Sequence, residues 1–197
     1  MIPVILKPEP PDFDQKVRQP GYIWLAGKGI DSNGAPPKGT KLKDLWRKSY
    51  GQLYDAYGGV CAYLAIYFEH CIGAGSTDHF IPKSIHAGKA YEWGNYRLSC
   101  RDANALKNKY DVLDPIGLRP DTFVLNLVDG EISPSPALNT AEKSAAEKTI
   151  AQLKLDSPRH RCMRARHFAR YLRNKDDQFL REESPFVWYE ANRQRLL

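Results

Sequence analysis

The 197-residue chain is predicted to be an α+β protein: a strand–strand–helix core with a helix before it, then a hairpin and a helical extension. Three observations carry that expectation. Strand-like Thr77–Ile81 and Asn95–Leu98 flank a loop, and a helix-like stretch, Arg101–Tyr110, follows at once. Upstream, Leu42, Leu45, Trp46, Leu53, Tyr54 and Tyr57 recur at helical spacing, and Gly58-Gly59 ends the run. Downstream, three sites carry helix-start chemistry: Asn139 with Glu142 three residues on, Ser157-Pro158 and Ser184-Pro185.

Taken in order, residues 1–40 form a Pro/Gly-rich arm. Five prolines fall in the first twenty positions, and Gly29, Gly34, Pro36, Pro37 and Gly39 follow, so an extended arm running into a long loop is expected. Residues 41–111 form the core. It has a helix over Lys41–Tyr57, a strand over Val60–Phe68, the hairpin strands joined through Lys83–Glu92, and the helix. Residues 112–197 pack on it as an extension. Phe123–Val128 alternates like a strand, Asp129-Gly130 turns the chain into Glu131–Ser133, and the three helices follow.

Composition bounds the class. Hydrophobic residues are 42% and charged residues 26%, as in ordinary soluble proteins. No window approaches the 18 or so apolar residues a membrane span needs, so no membrane partner is expected. The start, Met1–Lys7, lacks a secretory pattern, and Cys61, Cys71, Cys100 and Cys162 are irregularly spaced, which fits a reduced cytoplasmic protein. The net charge of +6 and pI of 9.1 are compatible with a polyanion partner without requiring one.

The chemistry concentrates between Ser76 and Lys107. An Asp78-His79 pair is followed 16 residues later by Asn95 and 9 residues after that by Asn104. Hydrolysis of a phosphodiester needs a deprotonated water, charge relief on the phosphate and help for the leaving oxygen. A neutral imidazole can take the proton near pH 7. A hard divalent ion on one carboxylate and one amide oxygen keeps positions open for phosphate oxygens. Neighbouring strand residues point to opposite faces, so Asp78 suits the metal and His79 the water.

This stretch resembles the HNH nuclease family, whose core is the ββα-metal fold. The resemblance is carried by Asp78-His79-Phe80-Ile81-Pro82-Lys83, Trp93-Gly94-Asn95 to Cys100, Asn104 and Lys107. It implies His79 as general base, Asn95 as the middle motif residue, Asn104 as the third motif residue and a metal ligand, and Asp78 as the other ligand. Asn95 and Asn104 are thereby counted with His79 among the catalytic residues. Lys83, Arg97, Arg101 and Lys107 are expected to contact substrate phosphates, because the motif sets them near the metal. The ion expected is Mg²⁺, with Mn²⁺ or Ni²⁺ as substitutes. Many family members add a zinc held by two Cys-x-x-Cys pairs, but here Cys61 and Cys100 each lack the second Cys. No structural zinc is expected, and both are read as small packing residues, with Tyr54, Tyr57, Tyr63, Tyr67 and Phe68 holding the hairpin instead.

Across residues 41–172 the order of motifs is similar to the PtuB-type HNH nucleases of Septu anti-phage systems. The further matches are Cys61-Ala62-Tyr63, Asp114-Pro115, Asp129-Gly130 and Thr149–Leu155. That resemblance implies a defence effector cutting nucleic acid, DNA ahead of RNA, and gated by a partner ATPase. A catalytically silent HNH-fold module that binds nucleic acid or a partner is the alternative. Basic residues from Arg159 to Lys175 set Arg159, Arg166, Arg170 and Arg173 along one helix face. Such a face suits phosphate tracking, solvent or an acidic protein equally.

Overall fold

The structure is a computed structural model describing residues 1–197. It is α+β, with seven α-helices and two small antiparallel sheets. The chain divides into two bodies. One comprises Leu6–Gly59 and Glu69–Asn104, the other Met1–Ile5, Val60–Phe68 and Ala105–Leu197.

The first body carries the hairpin. Strand β1, Gly75–His79, pairs antiparallel with β2, Tyr96–Cys100, so that Asp78 lies opposite Arg97 and His79 opposite Tyr96. The helix α3, Arg101–Lys107, starts directly after β2, and the division between the bodies falls within it. The first helix α1, Gln19–Gly27, is preceded by a wide π-turn over Asp14–Arg18, and Pro20, which has no N–H to donate, sits in its first turn.

This helix corrects the expectation of an extended N-terminal arm. Phe13, Val17, Gly21 and Leu25 are buried at four-residue spacing. The Phe13 ring packs edge-on to Trp93 and Tyr96, with centroids 5.5 and 5.7 Å away. A Cβ on Gly21 would stand 2.3 Å from the Tyr91 ring, so only glycine lets the helix lie that close. Arg18 ties the segment down by hydrogen bonds to Glu9, Asp14 and Glu92. The burial stripe, not the proline count, decides the conformation.

The helix expected over Lys41–Tyr57 is shorter and two-part. A 3₁₀ stretch at Leu45–Ser49 runs into α2, Tyr50–Ala56, and Gly58 and Gly59 follow with positive φ. Residues 28–44 contain no helix or strand.

In the second body, the strand expected over Val60–Phe68 is a tight reversal. Val60 bridges Tyr67, and Cys61 N–H donates to the Ile66 carbonyl at 2.9 Å. Ala65 adopts a positive φ at the bend, and its carbonyl accepts from Phe186 N–H. Strands β3, Phe123–Leu125, and β4, Ile132–Pro134, form the expected hairpin with a longer turn than predicted. Helices α4, Thr140–Gln152, and α5, Pro158–Asn174, begin at the expected positions, but the Ser157 side chain makes no cap hydrogen bond, so Pro158 alone marks the start of α5. Asn139 and Glu142 make the reciprocal capping box. Asp176 caps an additional helix, α6, Asp177–Glu183, before α7, Pro185–Arg193. No helix is long and apolar enough to cross a membrane.

Candidate functional site

The site grows out of the loop between β1 and β2, and Asn95 holds that loop. Its Oδ1 accepts from Ile81 N–H at 2.8 Å. Its Nδ2 donates to the carbonyls of Ile81 at 3.0 Å and Lys89 at 2.8 Å. Its own carbonyl accepts from Phe80 N–H at 2.9 Å. The amide therefore joins both ends of the loop and acts by positioning.

What the loop positions is the Ala90 carbonyl. His79 Nε2 lies 3.2 Å from that oxygen, and the Tyr96 hydroxyl donates to it at 2.7 Å. A carbonyl only accepts, so Nε2 carries the proton and Nδ1 of the neutral ring keeps its lone pair. Burial pushes the Tyr96 phenol well above its ordinary value, which keeps it a donor. Trp46 and Tyr96 stand edge-on to the imidazole at 4.8 and 5.3 Å, and His79 is only 6% exposed.

Asp78 points to the opposite face of β1 and is 3% exposed. Ser76 shares that face, and Asn104 reaches it from α3, donating Nδ2 to Ser76 Oγ at 2.9 Å. The Ser76 hydroxyl in turn donates to the Ser99 carbonyl at 3.2 Å. With its nitrogen so engaged, the Asn104 amide presents Oδ1 as its remaining acceptor. The Asp78 carboxylate and the Asn104 amide carry oxygens of the hard kind that divalent ions take.

The four predicted phosphate contacts separate into two pairs. Lys83 is exposed, with Nζ 5.1 Å from the Trp46 ring centre. Although the residue as a whole is exposed, partial desolvation of its ammonium lowers the pKa, and the Asp78 carboxylate acts in the opposite direction. Arg101 is also exposed. Arg97 and Lys107 are internal, which corrects the expectation for both. Arg97 is 4% exposed, donates Nη1 to the Gly94 and Tyr96 carbonyls at 2.8 and 2.9 Å, and lies over Phe80. Lys107 is fully buried. A buried cation meets its partners inside the fold and presents no charge to a polyanion.

Two open clefts flank Trp46 and Arg47. One, of about 680 Å³, is walled by residues 36–42, Lys83 and Ser84. The other, of about 600 Å³, is lined by Tyr50, His70, Thr77 and Arg101 among others. Tyr50 stacks on His70 with centroids 5.4 Å apart. Sequence reasoning assigned Trp46 to a helix face and missed its place beside His79. It also missed the Ala90 carbonyl, because a backbone acceptor leaves no trace in residue identity. Of the cysteines, Cys61 is buried, Cys100 partly so, and Cys71 and Cys162 are exposed, all as thiols.

No protein-family model matches the chain, and no curated protein matches it in sequence.

Proposed function

We propose that the chain is a metal-dependent HNH-type endonuclease that hydrolyses phosphodiester bonds in nucleic acid, DNA ahead of RNA. The observation that carries the proposal is the His79–Ala90 hydrogen bond, which in the neutral ring puts the proton on Nε2, on a hairpin that also carries Asp78 and meets Asn104 at Ser76. In this reaction His79 Nδ1 takes a proton from water as the oxygen bonds to phosphorus. The phosphorus–O3′ bond breaks, and the leaving oxygen ends protonated, giving a 5′-phosphate and a 3′-hydroxyl. A divalent ion held by Asp78 and Asn104 would supply Lewis-acid relief of charge on the phosphate. Asn95 keeps the loop carbonyl in place, and Lys83 and Arg101 are the exposed cations suited to substrate phosphates. By its sequence resemblance the chain would serve as an anti-phage effector gated by a partner ATPase.

A silent binding module is the second reading, favoured by the burial of His79 beneath Trp46. Cleavage decides between them. Wild type and His79→Ala are compared on supercoiled plasmid, linear duplex, single-stranded DNA and tRNA, with Mg²⁺, Mn²⁺, Ni²⁺ or EDTA. Metal-dependent cutting is expected, reduced in the variant by about 10²–10⁴-fold. Wild-type rates in the variant would overturn the base assignment. No cutting under any condition points to a gated effector awaiting its partner or to the silent module, and a pull-down that does or does not recover an ATPase separates those two.

A further inference from the structure

The larger cleft shares only Lys83 with the chemistry just described. Its mouth carries Lys38, Lys41, Arg47 and Lys83 against a single carboxylate, Asp44, which pairs with Arg47 at 3.0 Å. Its lining also includes apolar Pro36, Pro37, Leu42 and Trp46. Lys83 and Trp46 both line this space, with the Lys83 ammonium 5.1 Å from the ring centre. Trp46 also touches the imidazole of His79, 4.8 Å between centroids. A group stacked on Trp46 would therefore lie one ring away from the His79 imidazole.

We infer that this cleft holds an unpaired nucleobase of the substrate, stacked on Trp46, with its flanking phosphates on Lys38, Lys41 and Lys83. The inference rests on the endonuclease reading and names its substrate class: single-stranded nucleic acid at the point of cutting. A cleft lined by an aromatic ring, prolines and several cations matches a base and its phosphates in both chemistry and charge. A paired base does not fit the description. In a duplex its faces are covered by stacked neighbours and only its edges are shown in the grooves. The base displaces the Lys83 ammonium from the ring, and that cation moves to the phosphate, exchanging a cation–π contact for a charge-assisted one.

The test is affinity, measured with the full chain in EDTA so that no cutting intervenes. Three probes of one sequence are compared by anisotropy: single-stranded DNA, single-stranded RNA and blunt DNA duplex. Each single strand also carries 2-aminopurine at successive positions, whose emission changes on stacking. The single strands are expected to bind at least tenfold tighter than the duplex, with one position altered in emission. Trp46→Ala should weaken single-strand binding by about 5- to 150-fold, the range for losing one base stack. Trp46→Phe should restore most of it. Lys38→Glu with Lys41→Glu should weaken binding too, and decides the matter if Trp46→Ala does not fold. The DNA and RNA arms show which strand the slot prefers. Duplex bound as tightly as single strands, or single-strand affinity unchanged by the Trp46 and lysine substitutions, would overturn the inference. His79-dependent cleavage persisting in that case leaves the nuclease reading standing. Trp46-dependent binding without any metal-dependent cleavage would do the reverse.

Discussion

His79 takes its proton-accepting form from a residue eleven positions further along the chain, and Asn95 keeps that residue there. Replacing Asn95 by Ala removes three side-chain hydrogen bonds and leaves the Ile81 and Lys89 backbone groups to find other partners. We expect a loss of about 2–4 kcal/mol in urea unfolding, together with a fall in cleavage rate larger than the population of unfolded protein explains. A second residue, His167 on α5, is held below its ordinary pKa by burial first and by Arg166 and Arg170 next. As pH falls below about 6.5, the unfolded chain binds the proton before the folded one does. Stability is then full above that pH and declines until the lowered folded value is passed. Urea titrations between pH 7.5 and 5 should show a shallower decline for His167→Gln than for wild type. At this scale the motif was legible where identity implies geometry. An Asn able to bridge two backbone stretches and a His at a strand end could be found from spacing. Arg97 and Lys107 could not, because a cation next to a motif looks the same whether its side chain turns outward or inward.

Among elements, the first helix shows what composition conceals. Prolines at positions 3, 8, 10, 11 and 20 suggest an extended arm, yet the segment from Phe13 to Leu25 supplies buried packing for the hairpin loop. The contact is close enough to be tested by one methyl group. Gly21→Ala pushes α1 off the Tyr91 ring and should cost about 1–3 kcal/mol in a thermal or urea melt, more than helix propensity would return. The reversal at Cys61–Ile66 was read as a strand because its aromatic and aliphatic residues suit one. The hydrogen bond from Ala65 N–H back to the Cys61 carbonyl closes it instead. Caps were the most legible signals of all. Asn139, Ser157 and Ser184 each stand directly before a helix, but only Asn139 caps with its side chain; at the other two starts Pro158 and Pro185 mark the first helical position instead. Helix α6 escaped notice because it is seven residues long and too short for a hydrophobic period.

For the whole molecule, a net charge of +6 is less informative than where its cations are spent. On α5, Arg164 is buried with Nε donating to the Gly130 carbonyl, and Arg161 pairs with Asp156 and Glu131. Arg159, Arg166, Arg170 and Arg173 remain exposed, with Arg170 lying over Phe179. Were these side chains to follow a nucleic-acid backbone, each contact would release counterions. Arg166→Gln with Arg173→Gln should then lower the slope of log affinity against log salt by about 1.5 on single strands or duplex. An unchanged slope would assign the helix to solvent or to an acidic protein partner.

The tethered loop between β1 and β2 also bears on how the protein can be handled. Ile85 at its tip is 56% exposed, a position that looks permissive for a label or an inserted epitope. Yet Ala87 N–H donates to the Gly34 carbonyl and Gly88 N–H to the Ser32 carbonyl, each at 2.8 Å, while Asn95 grips Ile81 and Lys89. Added length there would be absorbed by the span that presents Ala90 to the imidazole. The tip beyond β3 is the better attachment point. Val128 is 85% exposed, and a fluorophore or affinity tag carried there would report on the molecule without lengthening the span that carries Ala90.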